Sequence, residues 1–193
     1  MPDETDKYCS VLAEALKELQ ENVTAAQGAA VQLIEEVKGA KRICVYGVGR
    51  EGLAIKGFAM RLFHMGLQHY TCASHRATPL QLPGKVSVVG EMTCSAVGAG
   101  DLLIATAGPG YFSTVAALSR EARHAGARVL IITSQPPAAA AEIADVVLQV
   151  PATCLPASFE LALQLWFDVA CVLLVDALGL SAEAATARHT NLE

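Results

Sequence analysis

The chain of 193 residues has the length of one ordinary domain and is long enough to bury a substantial core. Its 53% hydrophobic and 17% charged content is typical of a packed globular protein and excludes a disordered one. A net charge of -5 with no basic run argues against a nucleic-acid-binding surface. We therefore expect a single domain over residues 1–193 that does not bind nucleic acid.

The sequence shows no predicted membrane span, export signal or metal site. The longest apolar run, Ala170 to Val175, is too short to cross a bilayer. The acidic start, MPDETDKYCSVLAE, contains no apolar signal core. The six cysteines show neither a CxxC pair nor ligand spacing, which indicates reduced thiols. We expect a cytoplasmic protein with no membrane contact, metal or cofactor.

Residues 1–38 predict a helical region in front of the main fold. Val11, Ala15 and Leu19 recur at helical spacing, and the pattern continues to Lys38. Gly28 is a candidate point of division into two helices. Residues 42–47 then predict a buried strand, because they are apolar and include β-branched side chains.

Strands and helices alternate through the rest of the chain. The predicted strands are 42–47, 86–89, 102–106, 128–133 and 146–150, and the predicted helices are 50–66, 112–125, a short one near 138–144, and 158–178. Such alternation of helices with near-continuous apolar strands predicts an α/β fold with a mostly parallel sheet. We expect a three-layer αβα sandwich with an extra N-terminal helix. Residues 69–85 are polar and aperiodic, and we expect an inserted surface loop there.

Two glycine-containing loops follow predicted strands. GVGREG (47–52) and TAGPGYFST (106–114) both come at the carboxyl ends of strands, where open parallel sheets bind ligands. Each leads into a helix, whose first N–H groups attract anions. GVGREG also matches the dinucleotide motif G-x-G-x-x-G, but that motif needs an acidic residue about 20 residues further on. Glu91 lies much further away, so nucleotide binding is the weaker interpretation.

Seven segments carry a specific resemblance, in the same order along the chain. They are VYGVGREGLAIKGFAMRLFHMG (45–66), VVGEMT (88–93), GDLLIATAGPGYFSTV (100–115), GARVLIIT (126–133), ADVVLQVP (144–151), FELALQLWFDV (159–169) and RHTNLE (188–193). Together they resemble the sugar isomerase (SIS) domain family, and within it the 6-phospho-3-hexuloisomerase group. The resemblance implies a small-molecule sugar phosphate as ligand and isomerisation of ketose phosphates through an enediol.

The phosphate loop departs from the family pattern. The family loop resembles Ser-Gly-Ser-Gly-x-Thr, whereas residues 107–112 read Ala-Gly-Pro-Gly-Tyr-Phe and lose three hydroxyl positions. Glu51 stands where the family commonly has serine, and a carboxylate repels a phosphate by about 1 kcal/mol at ~4 Å in water. Arg50 either pairs with phosphate in compensation or pairs with Glu51 or a helix terminus. The predicted substrate-binding residues are Gly47, Gly49, Arg50, Glu51, Gly108, Gly110, Tyr111, Phe112, Ser113, Thr114 and His189.

Two residues are candidates for proton transfer. By position alone, Glu160 is a favourable acid in a first helical turn, and His64 is favourable near a helix end. The resemblance implies catalytic roles instead. Glu160 would move the proton between adjacent carbons, and His64 would serve the oxygens. The same resemblance implies that the tail carrying His189 reaches a neighbouring subunit.

The last helix is apolar on more than one face, with residues such as Leu163, Phe167 and Leu174, so something must bury it. We expect a homotetramer or homodimer; the alternative is a monomer whose long helices pack on each other. The function implied is a sugar-phosphate isomerase. The alternative is a non-catalytic carbohydrate-derivative-binding or regulatory module with an altered phosphate loop.

Overall fold

The N-terminal helical region forms two helices in a computed structural model that describes residues 4–67, 86–90, 94, 96–153, 157–181 and 183. Helix α1 spans Glu4–Ala25 and helix α2 spans Gln27–Gly39. The break falls at Ala26, two residues before the predicted Gly28. Ala26 is buried, and its carbonyl accepts a hydrogen bond of 3.1 Å from Trp166 Nε1. This contact holds the turn against the last helix.

The five strands form one parallel sheet, as predicted. They are β1 (Ile43–Tyr46), β2 (Val86–Val88), β3 (Leu102–Thr106), β4 (Arg128–Thr133) and β5 (Val146–Gln149). The order across the sheet is β2-β1-β3-β4-β5, and all four pairings are parallel. The chain therefore leaves β1 toward one edge and returns to the other side of β1 at β3. The loops after β1 and β3 flank the point where the strand order reverses.

Helices cover both faces of the sheet and give the predicted three layers. Helices α3 (Gly49–His64) and α5 (Phe159–Ala177) pack together with α1 and α2 on one face, and α4 (Ser113–His124) covers the other. Consecutive strand residues alternate between the two faces. Ile43 and Val45 accordingly join the core under α3 and α5, while Cys44 joins the core under α4.

The prediction of a short helix near 138–144 was wrong. Only a three-residue 3-10 helix, Pro137–Ala139, is present there. The chain continues in turns that bury Ala140 and Ala144 against the sheet. The alanine content of this segment favours an α-helix, but the connection from β4 to β5 consists of the 3-10 helix and turns.

Helix α5 is the central element of its layer. Phe167 stacks on Phe58 of α3 with ring centroids 4.4 Å apart, and Trp166 is 1% exposed. The Trp166 ring also holds the junction of α1 and α2 through its bond to Ala26. Packing on α5 therefore fixes the positions of the other helices on this face, including the start of α3.

We expect Trp166→Phe to lower the free energy of unfolding by about 1–3 kcal/mol, because it removes the indole hydrogen bond to the Ala26 carbonyl and shrinks a packed side chain. Urea unfolding followed by circular dichroism measures this. Tyr8→Phe is the matched control, since Tyr8 is exposed and its change should stay within about 0.5 kcal/mol. Equal stability of Trp166→Phe and the unmodified protein would contradict the assigned role.

Candidate functional site

A pocket of about 420 Å³ lies at the carboxyl edge of the sheet, where the loops after β1, β3 and β4 meet the start of α5. This is the position at which open parallel sheets bind their ligands. The side chains and loop segments that line it are Arg50, Glu51, Gly108, Pro109, Ser134, Gln135, Ala152, Thr153, Ser158, Phe159 and Glu160.

The glycines of the first loop allow α3 to begin close to the sheet. A Cβ atom on Gly47 would lie 2.6 Å from the Thr106 hydroxyl, and one on Gly52 would lie 2.6 Å from the Gly47 carbonyl oxygen. Gly47 and Gly49 do not line the pocket. The observed role of Gly47 is therefore close packing, and this packing places Arg50 and Glu51 in the first turn of α3 at the pocket wall.

Glu51 is almost completely buried, at 7% exposure. Its two carboxylate oxygens each lie 3.1 Å from the backbone nitrogen of Gly108, which donates to them. Burial raises the pKa of Glu51, and the neighbouring charge of Glu160 raises it further. The Gly108 amide and the nearby Thr106 hydroxyl act in the opposite direction on that pKa. The Glu51 carboxylate thus accepts hydrogen bonds from the Gly108 amide, which the sequence analysis expected to bind a phosphate ligand.

The second loop keeps its compact backbone. The Gly108 carbonyl accepts hydrogen bonds from the Ser134 nitrogen at 3.1 Å, the Ser134 hydroxyl at 2.7 Å and the Thr133 hydroxyl at 3.1 Å. Gly110 has a φ of 90°, a left-handed conformation that favours glycine, and its nitrogen donates to the Ala107 carbonyl at 2.7 Å. The end of β4 therefore fixes this loop from one side, while Glu51 binds it from the other.

Arg50 contacts the start of α5 in the structure. Its Nη2 atom donates to the Ser158 hydroxyl at 3.1 Å and lies 3.7 Å from a Glu160 carboxylate oxygen. Ser158 is the N-cap of α5, and its hydroxyl also accepts from the Leu161 nitrogen at 3.4 Å. Of the two alternatives for Arg50, the structure shows pairing at a helix terminus. The guanidinium remains largely exposed at the pocket, so it is still open to a ligand.

The structure brings Arg50, Glu51, Gly108 and Glu160 together at the pocket, whereas several other predicted residues do not line it. Gly110, Tyr111, Phe112, Ser113 and Thr114 continue from the loop into the start of α4 and do not line the pocket. Phe112 occupies the N-cap position of α4 and has no side-chain oxygen to bind the first amides.

His64 lies far from the pocket of its own chain. Glu51 and His64 are in the first and last turns of α3, a helix of 16 residues. At 1.5 Å of rise per residue they are about 20 Å apart along the helix axis. His189 and the predicted loop 69–85 lie outside the described residues.

Sequence reasoning missed the polar residues Ser134, Gln135, Thr153 and Ser158 at the pocket. Ser134 and Gln135 directly follow β4 at the same edge of the sheet, and Ser158 precedes an apolar helix as a typical N-cap. Those signals were present in the sequence. Thr153 donates to the Glu18 carboxylate of α1 and is placed by a contact between distant segments, which leaves no local signal.

Within the described residues, no group of three or more histidine, cysteine, aspartate or glutamate side chains has the arrangement of a metal site. No helix in the described ranges combines the length and apolar character needed to cross a membrane.

Comparison with known proteins identifies the family. The 3-hexulose-6-phosphate isomerase of Methylomonas aminofaciens is 32% identical to this chain, over 97% of the chain and 99% of that protein. The Bacillus subtilis protein of the same name is 27% identical over 97% of this chain and 100% of its own length. No family model matches the chain.

Solved structures share the fold. A hypothetical protein from Methanococcus jannaschii, inferred to be a 3-hexulose-6-phosphate isomerase, superposes with a TM-score of 0.74 at 24% identity, covering 93% of this chain and 99% of its own. The Vibrio vulnificus NanR protein, solved in complex with ManNAc-6P, gives a TM-score of 0.68 at 18% identity, over 94% of this chain and 65% of its own. By its sequence relatives and its fold, the chain belongs to the sugar isomerase (SIS) family, in the group of the 3-hexulose-6-phosphate isomerases.

Proposed function

We propose that the protein is a phosphosugar isomerase that interconverts ketose phosphates of the 3-hexulose 6-phosphate and fructose 6-phosphate type. The observation that carries the proposal is the placement of Glu160 beside Arg50 in the pocket at the carboxyl edge of the sheet. The names of the full-length relatives support the substrate class. Binding of ManNAc-6P by a protein of the same fold supports a sugar phosphate as ligand.

The reaction moves a carbonyl group between neighbouring carbons. A base removes the proton from the hydroxyl-bearing carbon, an enediol forms, and the proton returns to the former carbonyl carbon while a hydroxyl proton moves between the oxygens. Glu160 is the proposed base, since it is a carboxylate at the pocket whose side chain is 26% exposed. Arg50 lies 3.7 Å from it and supplies the positive charge that favours a phosphate or an enediolate oxygen.

The proposed role of His64 requires a second copy of the chain. Helices α3 and α5 both begin at the pocket and lead away from it, so His64 lies at the far end of its own subunit. Both helices expose apolar side chains: Leu53, Met60 and Phe63 on α3, and Leu161, Leu165, Val169, Val172 and Leu173 on α5. In the proposed arrangement the two copies pack through these faces about a two-fold axis perpendicular to the helices, which makes equivalent helices antiparallel. Each His64 would then approach the pocket of the other copy.

This arrangement is the proposed homodimer, or half of a homotetramer. The exposed apolar residues of α1, which are Tyr8, Val11, Leu12 and Leu16, offer a second surface for the larger assembly. The tail with His189 is proposed to reach the neighbouring copy as well. Light scattering measures the assembly directly, because a monomer has a mass of 20.2 kDa.

A non-catalytic binding or regulatory module is the second candidate. The observation that favours it is the Glu51 carboxylate on the Gly108 amide, which a phosphate would otherwise bind. Incubation of the pure protein with 3-hexulose 6-phosphate, followed by an assay for fructose 6-phosphate, separates the two candidates. Turnover establishes the isomerase; its absence, together with no thermal shift from any sugar phosphate, would overturn it.

We expect Glu160→Gln to lower kcat by a factor on the order of 10²–10⁴ while leaving ligand binding largely intact, because the amide keeps the shape but cannot accept the proton. Steady-state kinetics and calorimetric titration with fructose 6-phosphate measure the two effects separately. Glu121→Gln is the control, since Glu121 is exposed on α4, on the other face of the sheet. Near-full activity of the Glu160 variant would assign it only a structural role at the helix start.

We expect Glu160→Gln and His64→Gln to be inactive separately but to complement each other when co-expressed. In a randomly mixed dimer with shared sites, half of the dimers are hybrids, and each hybrid has one site without either change. Activity should therefore return to about a quarter of the unmodified level. Separately tagged subunits allow the hybrid to be purified and assayed. A hybrid without activity would contradict a site that is shared between subunits.

A further inference from the structure

The Glu51 carboxylate accepts hydrogen bonds from the backbone amide of Gly108, the second residue of the predicted phosphate loop 107–112. Both of its oxygens are 3.1 Å from the Gly108 nitrogen, and the side chain is 7% exposed. A Cβ atom on Gly108 would lie 2.8 Å from Glu51 Oε1 and 2.8 Å from the Phe159 ring. The space beside Gly108 is therefore already filled. A phosphate group cannot bind this amide while the carboxylate remains there.

We propose that Glu51 is an internal anion in the phosphate position of the 107–112 loop, so that phosphosugar binding competes with the ionised Glu51 side chain and is coupled to its protonation. The inference rests on the proposed phosphosugar ligand. It makes Glu51 the residue that sets the affinity of this pocket for phosphate and the dependence of that affinity on pH.

The charges around Glu51 support the competition. Among the described residues that line the pocket, the other charged side chains are Arg50, on the same helix, and Glu160, at the start of α5. The groups contributed by β3 and by the end of β4 are the neutral Thr106, Ser134 and Gln135. With both carboxylates ionised, one guanidinium faces two negative charges, so a phosphate dianion is repelled. Protonation of Glu51 removes one of these charges.

The direction of the Glu51 pKa supports the same inference. Burial, and then the charge of Glu160, raise this pKa above the ordinary value of a carboxyl group. Glu51 therefore takes up a proton at a higher pH than an exposed glutamate does. As the pH falls through that pKa, the carboxyl group becomes neutral and its competition with phosphate weakens.

Thr106 provides the carboxyl group with a second position. Its hydroxyl is fully buried next to the first loop and lies near enough to Glu51 to lower the pKa of that carboxyl group, although its contacts with the described residues do not have full hydrogen-bond geometry. A buried polar group without a partner is costly. In the proposed ligand-bound state, the Glu51 carboxyl group would turn from Gly108 toward this hydroxyl and leave the loop amide to the ligand.

Calorimetric titration with fructose 6-phosphate between about pH 5.5 and pH 8.5 tests the inference. Glu51→Gln keeps the shape without the charge, and Glu51→Ser restores the residue of the family pattern. We expect both variants to bind about 5- to 30-fold more tightly than the unmodified protein near pH 8, the scale of one charge repulsion and one charge-assisted hydrogen bond. For Glu51→Gln, the ratio of the dissociation constant of the unmodified protein to that of the variant should fall toward one as the pH falls, because the protonated carboxyl group and the amide are both neutral.

Two controls make the ratio specific. The phosphate group itself titrates with a pKa of about 6. This titration affects the unmodified protein and its variants equally, so it cancels in the ratio of their dissociation constants. Glu160→Gln removes a charge from the same pocket but leaves the Glu51 carboxylate bonded to the Gly108 amide. If it tightens binding as much as Glu51→Gln does, the effect is one of overall charge, and occupation of the phosphate position by Glu51 is overturned.

Thermal unfolding without ligand tests the protonation step separately. Because the pKa of Glu51 is raised by folding, its stabilising protonated form is present at low pH and is lost as the pH rises through that pKa. The Glu51→Gln variant, which resembles the protonated form, should therefore unfold at a higher temperature than the unmodified protein near pH 8. The two temperatures should converge as the pH falls through that pKa. Equal unfolding temperatures at every pH would overturn the coupling.

The outcomes distinguish this inference from the proposed function. If the protein turns over 3-hexulose 6-phosphate but Glu51→Gln leaves the dissociation constant unchanged at every pH, the isomerase stands and the role of Glu51 is overturned. If neither the unmodified protein nor its Glu51 variants bind a sugar phosphate at any pH, both are overturned. Tighter binding by both Glu51 variants at high pH, with convergence of Glu51→Gln and the unmodified protein at low pH, supports the inference.

Discussion

The bond between the Glu51 carboxylate and the Gly108 amide joins the two loops on which the pocket depends. Glu51 comes from the start of α3, and Gly108 comes from the loop after β3. The Gly108 carbonyl is at the same time held by the end of β4 through Ser134. One peptide segment therefore connects three loops of the sheet edge. A buried carboxylate is costly unless it is hydrogen-bonded, and this bond provides that compensation.

The sheet topology explains why these loops meet. Because β1 lies between β2 and β3, the chain changes direction across the sheet at β1, and the loops after β1 and β3 are neighbours without a helix between them. Close approach then depends on small residues. A side chain on Gly47 would collide with the Thr106 hydroxyl, and one on Gly108 would collide with Glu51 and the Phe159 ring. Two glycines of the dinucleotide motif, Gly47 and Gly52, thus serve close packing in this protein.

Most of the fold could be predicted from the sequence, because the strands are short apolar runs between turn residues and the helices have clear periodicity. The prediction was wrong at 138–144, where alanine propensity favoured a helix but turns connect the strands. At the site, the two loops and the unusual charge of Glu51 were visible in the sequence. The sequence included a helix terminus among the alternatives for Arg50, but neither the choice of Ser158 nor the bond from Gly108 to Glu51 was visible, because both contacts join residues that are distant along the chain. Only tertiary packing determines such pairs.

Helix α3 links the altered phosphate loop to the proposed assembly. Its first turn delivers Arg50 and Glu51 to the pocket of its own chain, and its last turn places His64 about 20 Å away. A rigid helix of this length cannot bring both ends to one pocket. If His64 acts in the reaction, the pocket it serves must belong to another copy, and the exposed apolar side chains between the two ends, such as Met60, are the surface on which that copy would pack. In that assembly the position of one helix would determine both the phosphate end of one site and the proton-transfer group of the next, so a shift of α3 would affect two sites together.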